Sequence, residues 1–124
     1  MADSGTIVLM SALTASPIFY DPMTGKPSAV ASTVRRRVSA YTRDHLVRGF
    51  KIGITNNPEA RFARYATDYD EMVVLYRSSS LDSVSEVERD LIEHNEEITH
   101  NRIAGGGGNY GDPPYYLYIV LRNQ

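Results

Sequence analysis

The sequence predicts one small α/β domain with a central, mainly antiparallel sheet that is flanked by helices. Its 124 residues are the usual length of a single domain. Hydrophobic residues make up 42% and charged residues 23%, which is typical of a globular domain. Short apolar runs with strand character alternate with segments of helical periodicity, and this order suits a sheet covered by helices.

The first third of the chain predicts a strand, a loop and a basic helix. The apolar run Thr6–Met10 is typical of a short buried strand, and the prolines and glycine between Ser16 and Lys26 predict a loop. Ser28 is a suitable N-cap. After it, apolar residues recur at helical spacing at Val30, Val34, Val38 and Tyr41. We therefore expect an amphipathic helix from Ser28 to about His45.

The middle of the chain predicts a strand, a short helix and another strand. Phe50–Thr55 has the alternation of a strand. Asn57 is a good cap for a helix whose first residue is Pro58, where the missing N–H has no consequence, and which ends at about Ala66. The run Met72–Ser78 is rich in β-forming apolar residues and predicts a central strand.

The last third predicts a helix, a glycine-rich loop and a closing strand. Ser83 and Glu86 have the spacing of a capping box, so we expect a helix from there to about Asn95. A loop with four consecutive glycines follows. Tyr115–Leu121 then predicts the last strand.

Composition excludes several classes of site and predicts a cytoplasmic protein. The chain has no cysteine, so it has neither disulfides nor a thiolate zinc site. No apolar run approaches the roughly 18 residues needed to cross a bilayer. Thr6–Met10 is too short for the core of a signal peptide and has no basic residue before it.

The net charge of −2 conceals two halves of opposite charge. Residues 24–65 contain nine basic and two acidic residues, a net charge of +7. Residues 66–124 contain four basic and eleven acidic residues, a net charge of −7. The basic half is suited to binding phosphates, whereas charge matching between the two halves within one fold explains the pattern equally well.

The stretch "KIGITNNPEARFARY", residues 51–65, gathers cations and a tyrosine around one strand-to-helix turn. Arg61 and Tyr65 are four residues apart, so they share one face of the helix. In the later helix, Glu88 stands four residues after Val84 and four before Ile92, at the edge of the apolar stripe. A carboxylate in that position needs a cation, a metal ion or a hydrogen-bond network.

These residues, in this order, resemble the GIY-YIG nuclease superfamily. Its second signature triplet lies on a strand, an arginine and then a Tyr or His follow on the next helix, and a metal-binding Glu and an Asn come later. The chain has Lys51-Ile-Gly, Arg61 ten residues after the lysine, Tyr65 one turn later, Glu88 in "ERDLI", and Asn101. The resemblance covers roughly residues 50 to 105.

The resemblance implies a metal-dependent endonuclease that hydrolyses DNA phosphodiester bonds. Glu88 would hold one Mg²⁺ or Mn²⁺, since hard cations prefer oxygen ligands. Arg61 would clamp the phosphate, a tyrosine hydroxyl would orient or deprotonate the water, and Asn101 would brace the site. DNA is then the expected partner, and the cations expected to contact it are Arg35, Arg36, Arg37 and Arg64.

The first triplet of the family, Gly-Ile-Tyr, is absent, and this leaves alternatives open. Ser39–Tyr41 could be a degenerate version of it in a β-hairpin. We favour Thr6–Met10 as the first strand, because the segment up to Tyr41 has helical periodicity. The single domain, residues 1–124, then comprises an N-terminal strand and loop (1–27), an inserted basic helix (28–46) and a core (50–121).

Lys51 stands where the family often has tyrosine, so the general base is open among Tyr65, Tyr41 and a neutral Lys51. The loss of the first triplet supports an alternative function: an inactive GIY-YIG-like module that binds nucleic acid or a protein. The chain has no room for a separate DNA-recognition domain, so we expect strong sequence specificity to require a homodimer or a specificity partner.

Overall fold

The computed structural model describes residues 18–43, 47–94 and 110–123. These residues form an α/β fold whose elements are β1 (Ile18–Met23), α1 (Pro27–Thr42), β2 (Gly49–Thr55), α2 (Pro58–Tyr65), β3 (Glu71–Ser78), α3 (Leu81–His94) and β4 (Tyr115–Arg122). The predicted alternation of helices and strands from residue 27 onwards is confirmed. The strand predicted at Thr6–Met10 lies outside the described residues. No described helix is both long enough and apolar enough to cross a membrane.

The sheet is mixed, and the prediction of a mainly antiparallel sheet is wrong. Its strand order is β1-β3-β4-β2. β4 pairs antiparallel with both β3 and β2, but β1 runs parallel to β3 at the edge. Parallel neighbours need a long crossover, and the chain provides one here, since α1, β2 and α2 lie between β1 and β3.

Strand β1 replaces part of the loop predicted between Ser16 and Lys26, so that prediction is wrong for Ile18–Met23. Pairing with β3 stabilises this segment as a strand although it contains a proline. Pro22 lies on an edge strand, where a missing N–H is tolerated. The pairing with β3 is also irregular between Tyr20 and Met23, on either side of the proline.

Helices cover both faces of the sheet and divide the core in two. Residues of α1 and α3 pack with Phe50, Ile52 and Ile54 of β2; we call this side the α1/α3 face. Side chains alternate along a strand, so Lys51, Gly53 and Thr55 lie on the opposite side. That side is covered by α2 and contains a second apolar cluster; we call it the α2 face.

Helix α2 begins as the sequence predicts. The Asn57 side chain accepts a hydrogen bond from the N–H of Ala60 at 3.1 Å, and Pro58 is the first helical residue. The Tyr20 hydroxyl of β1 donates to the Glu59 carboxylate, which ties the first turn of α2 to the sheet edge. The cap and this tie fix where the following residues of α2 lie over the sheet.

The other two helices begin earlier than predicted. Helix α1 starts at Pro27, with Lys26 rather than Ser28 in the capping position. Helix α3 starts at Leu81, and Ser80 accepts a hydrogen bond from the N–H of Ser83 at 3.1 Å. The capping box at Ser83 and Glu86 is therefore wrong by one turn.

The apolar stripe predicted for α1 is confirmed only in part. Val30, Val34 and Val38 are buried against the sheet and α3. Tyr41 is exposed, because it lies in the last turn of the helix, which ends at Thr42.

Candidate functional site

The centre of the site is the facing pair Gly53 and Tyr118. The antiparallel register of β2 and β4 places these two residues directly opposite each other on the α2 face. Tyr118 is fully buried. A Cβ at position 53 would lie 2.3 Å from the Tyr118 hydroxyl oxygen and 2.5 Å from Cζ. Glycine is therefore required here, because the tyrosine ring lies over its Cα.

Helix α2 brings two polar side chains to the Tyr118 hydroxyl. Arg61 Nη1 donates to Tyr118 Oη at 3.4 Å, and Tyr118 Oη donates to Tyr65 Oη at 3.4 Å. Since Arg61 and Tyr65 are one turn apart on the helix, one hydroxyl reaches both. The predicted shared face of Arg61 and Tyr65 is thus present, and its partner is a tyrosine of the last strand.

Lys51 completes this group from the neighbouring strand position. Its Nζ lies 5.4 Å from the centroid of the Tyr65 ring, within the range of a cation–π contact. Tyr69 packs edge-on against the same ring at 5.6 Å between centroids. We call Lys51, Arg61, Tyr65 and Tyr118 the Tyr118 cluster. It places two cations around a pair of hydrogen-bonded phenols.

The pKa values of the two tyrosine hydroxyls in the cluster shift in opposite directions. Burial raises the pKa of Tyr118, and its hydrogen bond to Tyr65 raises it further. Burial also acts to raise the pKa of Tyr65, but the hydrogen bond donated by Tyr118 and the charges of Lys51 and Arg61 outweigh it, so the pKa of Tyr65 is lowered. The Tyr65 hydroxyl is therefore the one that ionises more readily.

Arg61 is held in its charged form. Burial alone would lower the pKa of its guanidinium, but the neighbouring oxygens of Tyr118 and Tyr65 have the larger combined effect and raise it. The side chain is half-buried between α2 and the sheet. It is a permanent cation at the edge of a cavity.

The cavity beside Arg61 has a volume of about 310 Å³ and is lined by Thr55, Asn56, Arg61, Tyr110 and Gly111; we call it the Arg61 pocket. Asn56 Nδ2 donates to the carbonyl of Asp112 at 3.1 Å, which joins the end of β2 to the segment before β4. Gly111 has φ of +77°, and a Cβ there would lie 2.6 Å from Asn56 Nδ2. The wall of the pocket is therefore a tight glycine turn.

Glu88 is buried in α3, with only 4% of its surface exposed. Its charge affects Tyr110, which lines the Arg61 pocket. Burial raises the pKa of Tyr110, the negative charge of Glu88 raises it further, and the positive charge of Arg61 lowers it. Both charges therefore act on one hydroxyl that lines the pocket.

Within the described part of the chain, no group of three or more His, Cys, Asp or Glu side chains could hold a metal ion. The uncharged oxygens that line the Arg61 pocket belong to Thr55, Asn56 and Tyr110, and Glu88 is not among the residues that line it. Mg²⁺ keeps several water ligands when it binds to a protein, so one carboxylate together with neutral oxygens is a usual donor set for it.

The arginines predicted to contact DNA divide into paired and unpaired side chains. Arg35 forms an ion pair with Asp90 of α3 at 2.9 Å, and Arg37 forms one with Asp21 of β1 at 2.7 Å. Arg36 is exposed and donates to Thr33 of its own helix at 3.1 Å, and it forms no ion pair with another described residue. Arg64 is exposed on α2. The Arg35 pair joins the basic half to the acidic half, as charge matching within the fold predicts.

Among the described residues, Glu88 and Tyr41 are not brought to the cluster. Glu88 belongs to α3, which packs on the opposite face of the sheet from α2. Tyr41 lies on α1, which packs on the opposite face of the sheet from α2. Ser39–Tyr41 is helical, so the β-hairpin alternative for this segment is wrong. Asn101 lies outside the described residues.

Tyr118, Tyr110 and the Arg61 pocket were missed by sequence reasoning. The tyrosines of "YYLYIVL" are compatible with ordinary strand packing, and only the register of β4 against β2 reveals that Tyr118 faces Gly53. The one available signal was the alternation of Tyr116 and Tyr118, which puts both on the same face as the Lys51-Ile-Gly triplet's glycine.

Comparison of the chain with protein-family models, curated proteins and solved structures finds no match. Function is therefore inferred from the side chains of the Tyr118 cluster and of the Arg61 pocket. These side chains combine two cations, Lys51 and Arg61, with a tyrosine, Tyr65, whose pKa is lowered.

Proposed function

We propose that this protein is a divalent-metal-dependent endonuclease of GIY-YIG type that hydrolyses DNA phosphodiester bonds. The observation that supports this most is the hydrogen-bonded series Arg61–Tyr118–Tyr65, with Lys51 beside it. It joins a phosphate-binding cation to a phenol with a lowered pKa. The phenol that Lys51 replaces in the second triplet is supplied by Tyr118 of β4.

Arg61 binds the scissile phosphate in this proposal. Its guanidinium has five N–H donors, and one of them is used by Tyr118. Arg61 also contacts the Tyr65 hydroxyl, and the donors that neither tyrosine uses can reach phosphate oxygens in the Arg61 pocket, whose 310 Å³ has room for a phosphate group. Because Arg61 keeps its charge, it stabilises the additional negative charge of the pentavalent transition state.

Tyr65 acts as the general base. Its ionised form is favoured by the Tyr118 hydrogen bond and by the charges of Lys51 and Arg61. The phenolate oxygen takes a proton from the attacking water, and the two cations limit the cost of that charge. Tyr65 is preferred to Tyr41, which lies across the sheet, and to Lys51, whose contact is with the ring of Tyr65.

Glu88 would hold the Mg²⁺ or Mn²⁺ from the α3 side, near Tyr110. The ion, when bound, neutralises charge on the phosphoryl oxygens and makes a coordinated water more acidic.

A plasmid-nicking assay with Mg²⁺, Mn²⁺ or EDTA tests this function. Arg61→Ala should lower turnover by about 10² to 10³, the effect of losing one charge-assisted contact to a transition state. Arg64→Ala is the comparison variant, because it removes the same charge from the exposed side of the same helix. As a predicted DNA contact it should weaken DNA binding and leave turnover at saturating DNA unchanged. Tyr65→Phe removes only the hydroxyl and should also abolish most cleavage. Equal losses in the two arginine variants would contradict the role of Arg61.

The deep burial of Glu88, at 4% exposure, favours a second candidate, an inactive module that binds nucleic acid. In that case the Tyr118 cluster would bind a phosphate without cleaving the bond. DNA binding that falls with added salt, with no cleavage in either cation, would select this candidate.

A further inference from the structure

A second cavity lies at the same end of the sheet as the Arg61 pocket. Its volume is about 510 Å³, and its lining includes two cationic residues, Lys26 and Arg77. We call it the Lys26–Arg77 pocket. Four hydroxyl-bearing residues also line it: Thr24, Ser78, Ser79 and Ser83. Cations together with hydroxyl donors are the usual surroundings of a bound phosphate.

The pairing of the strands relates Arg77 to the Arg61 pocket. Tyr116 of β4 is the partner of Thr55 on one side and of Arg77 on the other. Thr55 lines the Arg61 pocket, and Arg77 lines the Lys26–Arg77 pocket. Since neighbouring strands are about 4.8 Å apart, the backbones at Thr55 and Arg77 are separated by roughly 10 Å.

An irregularity in β3 brings Arg77 opposite Tyr116 of β4. The register of β3 against β4 shifts between Val74 and Tyr76. Leu75 and Tyr76 both belong to the core of the α1/α3 face, whereas Val74 belongs to the core of the α2 face. The alternation therefore restarts after the shift, and Arg77 pairs with Tyr116 near the end of β3.

The two pockets also share a border. Gly111 lines the Arg61 pocket and Pro114 lines the Lys26–Arg77 pocket, so one short segment before β4 lies between them. On the far side, the Tyr76 hydroxyl donates to the carbonyl of Gly25 and holds the loop before α1 against the sheet. The hydrogen bond between Asn56 and Asp112 thus holds the wall of the Arg61 pocket. The bond between Tyr76 and Gly25 holds the wall of the Lys26–Arg77 pocket.

The charges of the pocket are available to a ligand. Lys26 and Arg77 are exposed. Within the described part of the chain, neither side chain forms an ion pair, whereas Arg35 and Arg37 are neutralised by aspartates. Lys26 and Arg77 together therefore offer two charges to one phosphate group of a bound polyanion.

We propose that the Lys26–Arg77 pocket binds a phosphate that flanks the scissile one on the same DNA strand. This inference rests on the proposed function and adds a second phosphate site, so that one DNA strand occupies both pockets together. A small phosphodiester would reach Arg61 only. The pocket should therefore contribute to the binding of DNA and leave hydrolysis of a small diester unchanged.

Binding of a short fluorescent DNA duplex, titrated in EDTA at several salt concentrations, measures the phosphate contacts. In the Lys26→Gln/Arg77→Gln double variant, the slope of log K against log salt should become shallower by about 0.9, because the pocket binds one phosphate and each phosphate contact contributes about 0.9. Each single variant should account for about half of this. The control is Arg48→Gln/Arg89→Gln, which removes two exposed charges elsewhere and should leave the slope unchanged.

Hydrolysis of bis(p-nitrophenyl) phosphate with Mg²⁺ or Mn²⁺ separates this inference from the proposed function. The Lys26→Gln/Arg77→Gln variant should retain the wild-type rate, while Arg61→Ala should lose it. Suppose that the double variant has the same salt slope as the control variant, while the wild type hydrolyses the diester and Arg61→Ala does not. The proposed role of the Lys26–Arg77 pocket is then wrong, and the proposed function still holds. An equal loss of diester hydrolysis in the double variant also overturns the role of the pocket. Failure of the wild type both to bind DNA and to hydrolyse the diester removes both proposals.

Discussion

Tyr118→Phe removes one oxygen atom from the centre of the site and should change the pH dependence of cleavage. The ring is fully buried and keeps its packing in the variant. Two hydrogen bonds are lost, one from Arg61 and one to Tyr65, each 3.4 Å long. Tyr65 then loses the Tyr118 donor and keeps only the effects of Arg61 and Lys51, so its pKa should rise.

The free energy lost in Tyr118→Phe depends on whether Tyr65 is neutral or ionised. At 3.4 Å both bonds are longer than usual, so the neutral protein should lose only about 0.5–1 kcal/mol of unfolding free energy. A hydrogen bond to a charged group contributes about 1.5–3 kcal/mol. Loss of that stabilisation from the Tyr65 phenolate corresponds to a rate about 10- to 100-fold lower at neutral pH.

The assay is single-turnover cleavage of DNA across a range of pH. In the wild type, the rate should rise with pH as Tyr65 loses its proton. In Tyr118→Phe the same rise should occur at higher pH, so the difference between the two proteins should shrink as the pH increases. Tyrosinate absorbance should follow the same shift. Tyr116→Phe is the matched control, since Tyr116 lies two residues earlier on the same strand and face.

A constant loss in Tyr118→Phe at every pH would contradict the assignment of Tyr65 as the base. It would indicate that the Tyr118 hydroxyl acts by positioning Arg61 alone. An unchanged profile would remove both phenols from the mechanism.

The remaining predictions concern the glycine, the carboxylate and the surface arginines. Gly53→Ala should lower the free energy of unfolding by about 1–3 kcal/mol in a urea titration, because its Cβ would lie 2.3 Å from the facing hydroxyl. Glu88→Gln should abolish cleavage with little change in melting temperature; a large drop in that temperature would indicate a structural role instead. Arg36→Gln/Arg43→Gln should make the salt dependence of DNA binding shallower, since both side chains line one exposed cavity on α1. Arg35→Gln should change that dependence less, because its ion pair to α3 already uses the charge.

Local patterns predicted most of the helices and strands. The Asn57-Pro58 pair marks the start of α2, because it combines a side-chain cap with a residue that lacks an N–H. β2, β3 and β4 each agree with their predicted bounds to within a residue or two. These signals depend on neighbouring residues, so they can be read without knowing the fold.

Strand direction and pairing could not be predicted in the same way. β1 forms from a segment with Pro22 in it, because β3 offers an unpaired edge for it. The direction of β1 depends on the crossover that follows, and no local pattern contains that information. The sequence also could not decide whether the basic half binds DNA or pairs with the acidic half. The structure shows that the charge of Arg35 is used in an ion pair with Asp90.

The site itself depends on a single register. If β4 were shifted by one residue against β2, Tyr118 would point to the α1/α3 face and the space above Gly53 would be empty. Arg61 and Tyr65 would then still share a face of α2, but the hydroxyl that joins them would be absent. The apolar residues that alternate with the tyrosines prevent such a shift, because it would expose Leu117 and its neighbours on the wrong face. The packing of the core and the chemistry proposed for the site are therefore specified by the same alternation in β4.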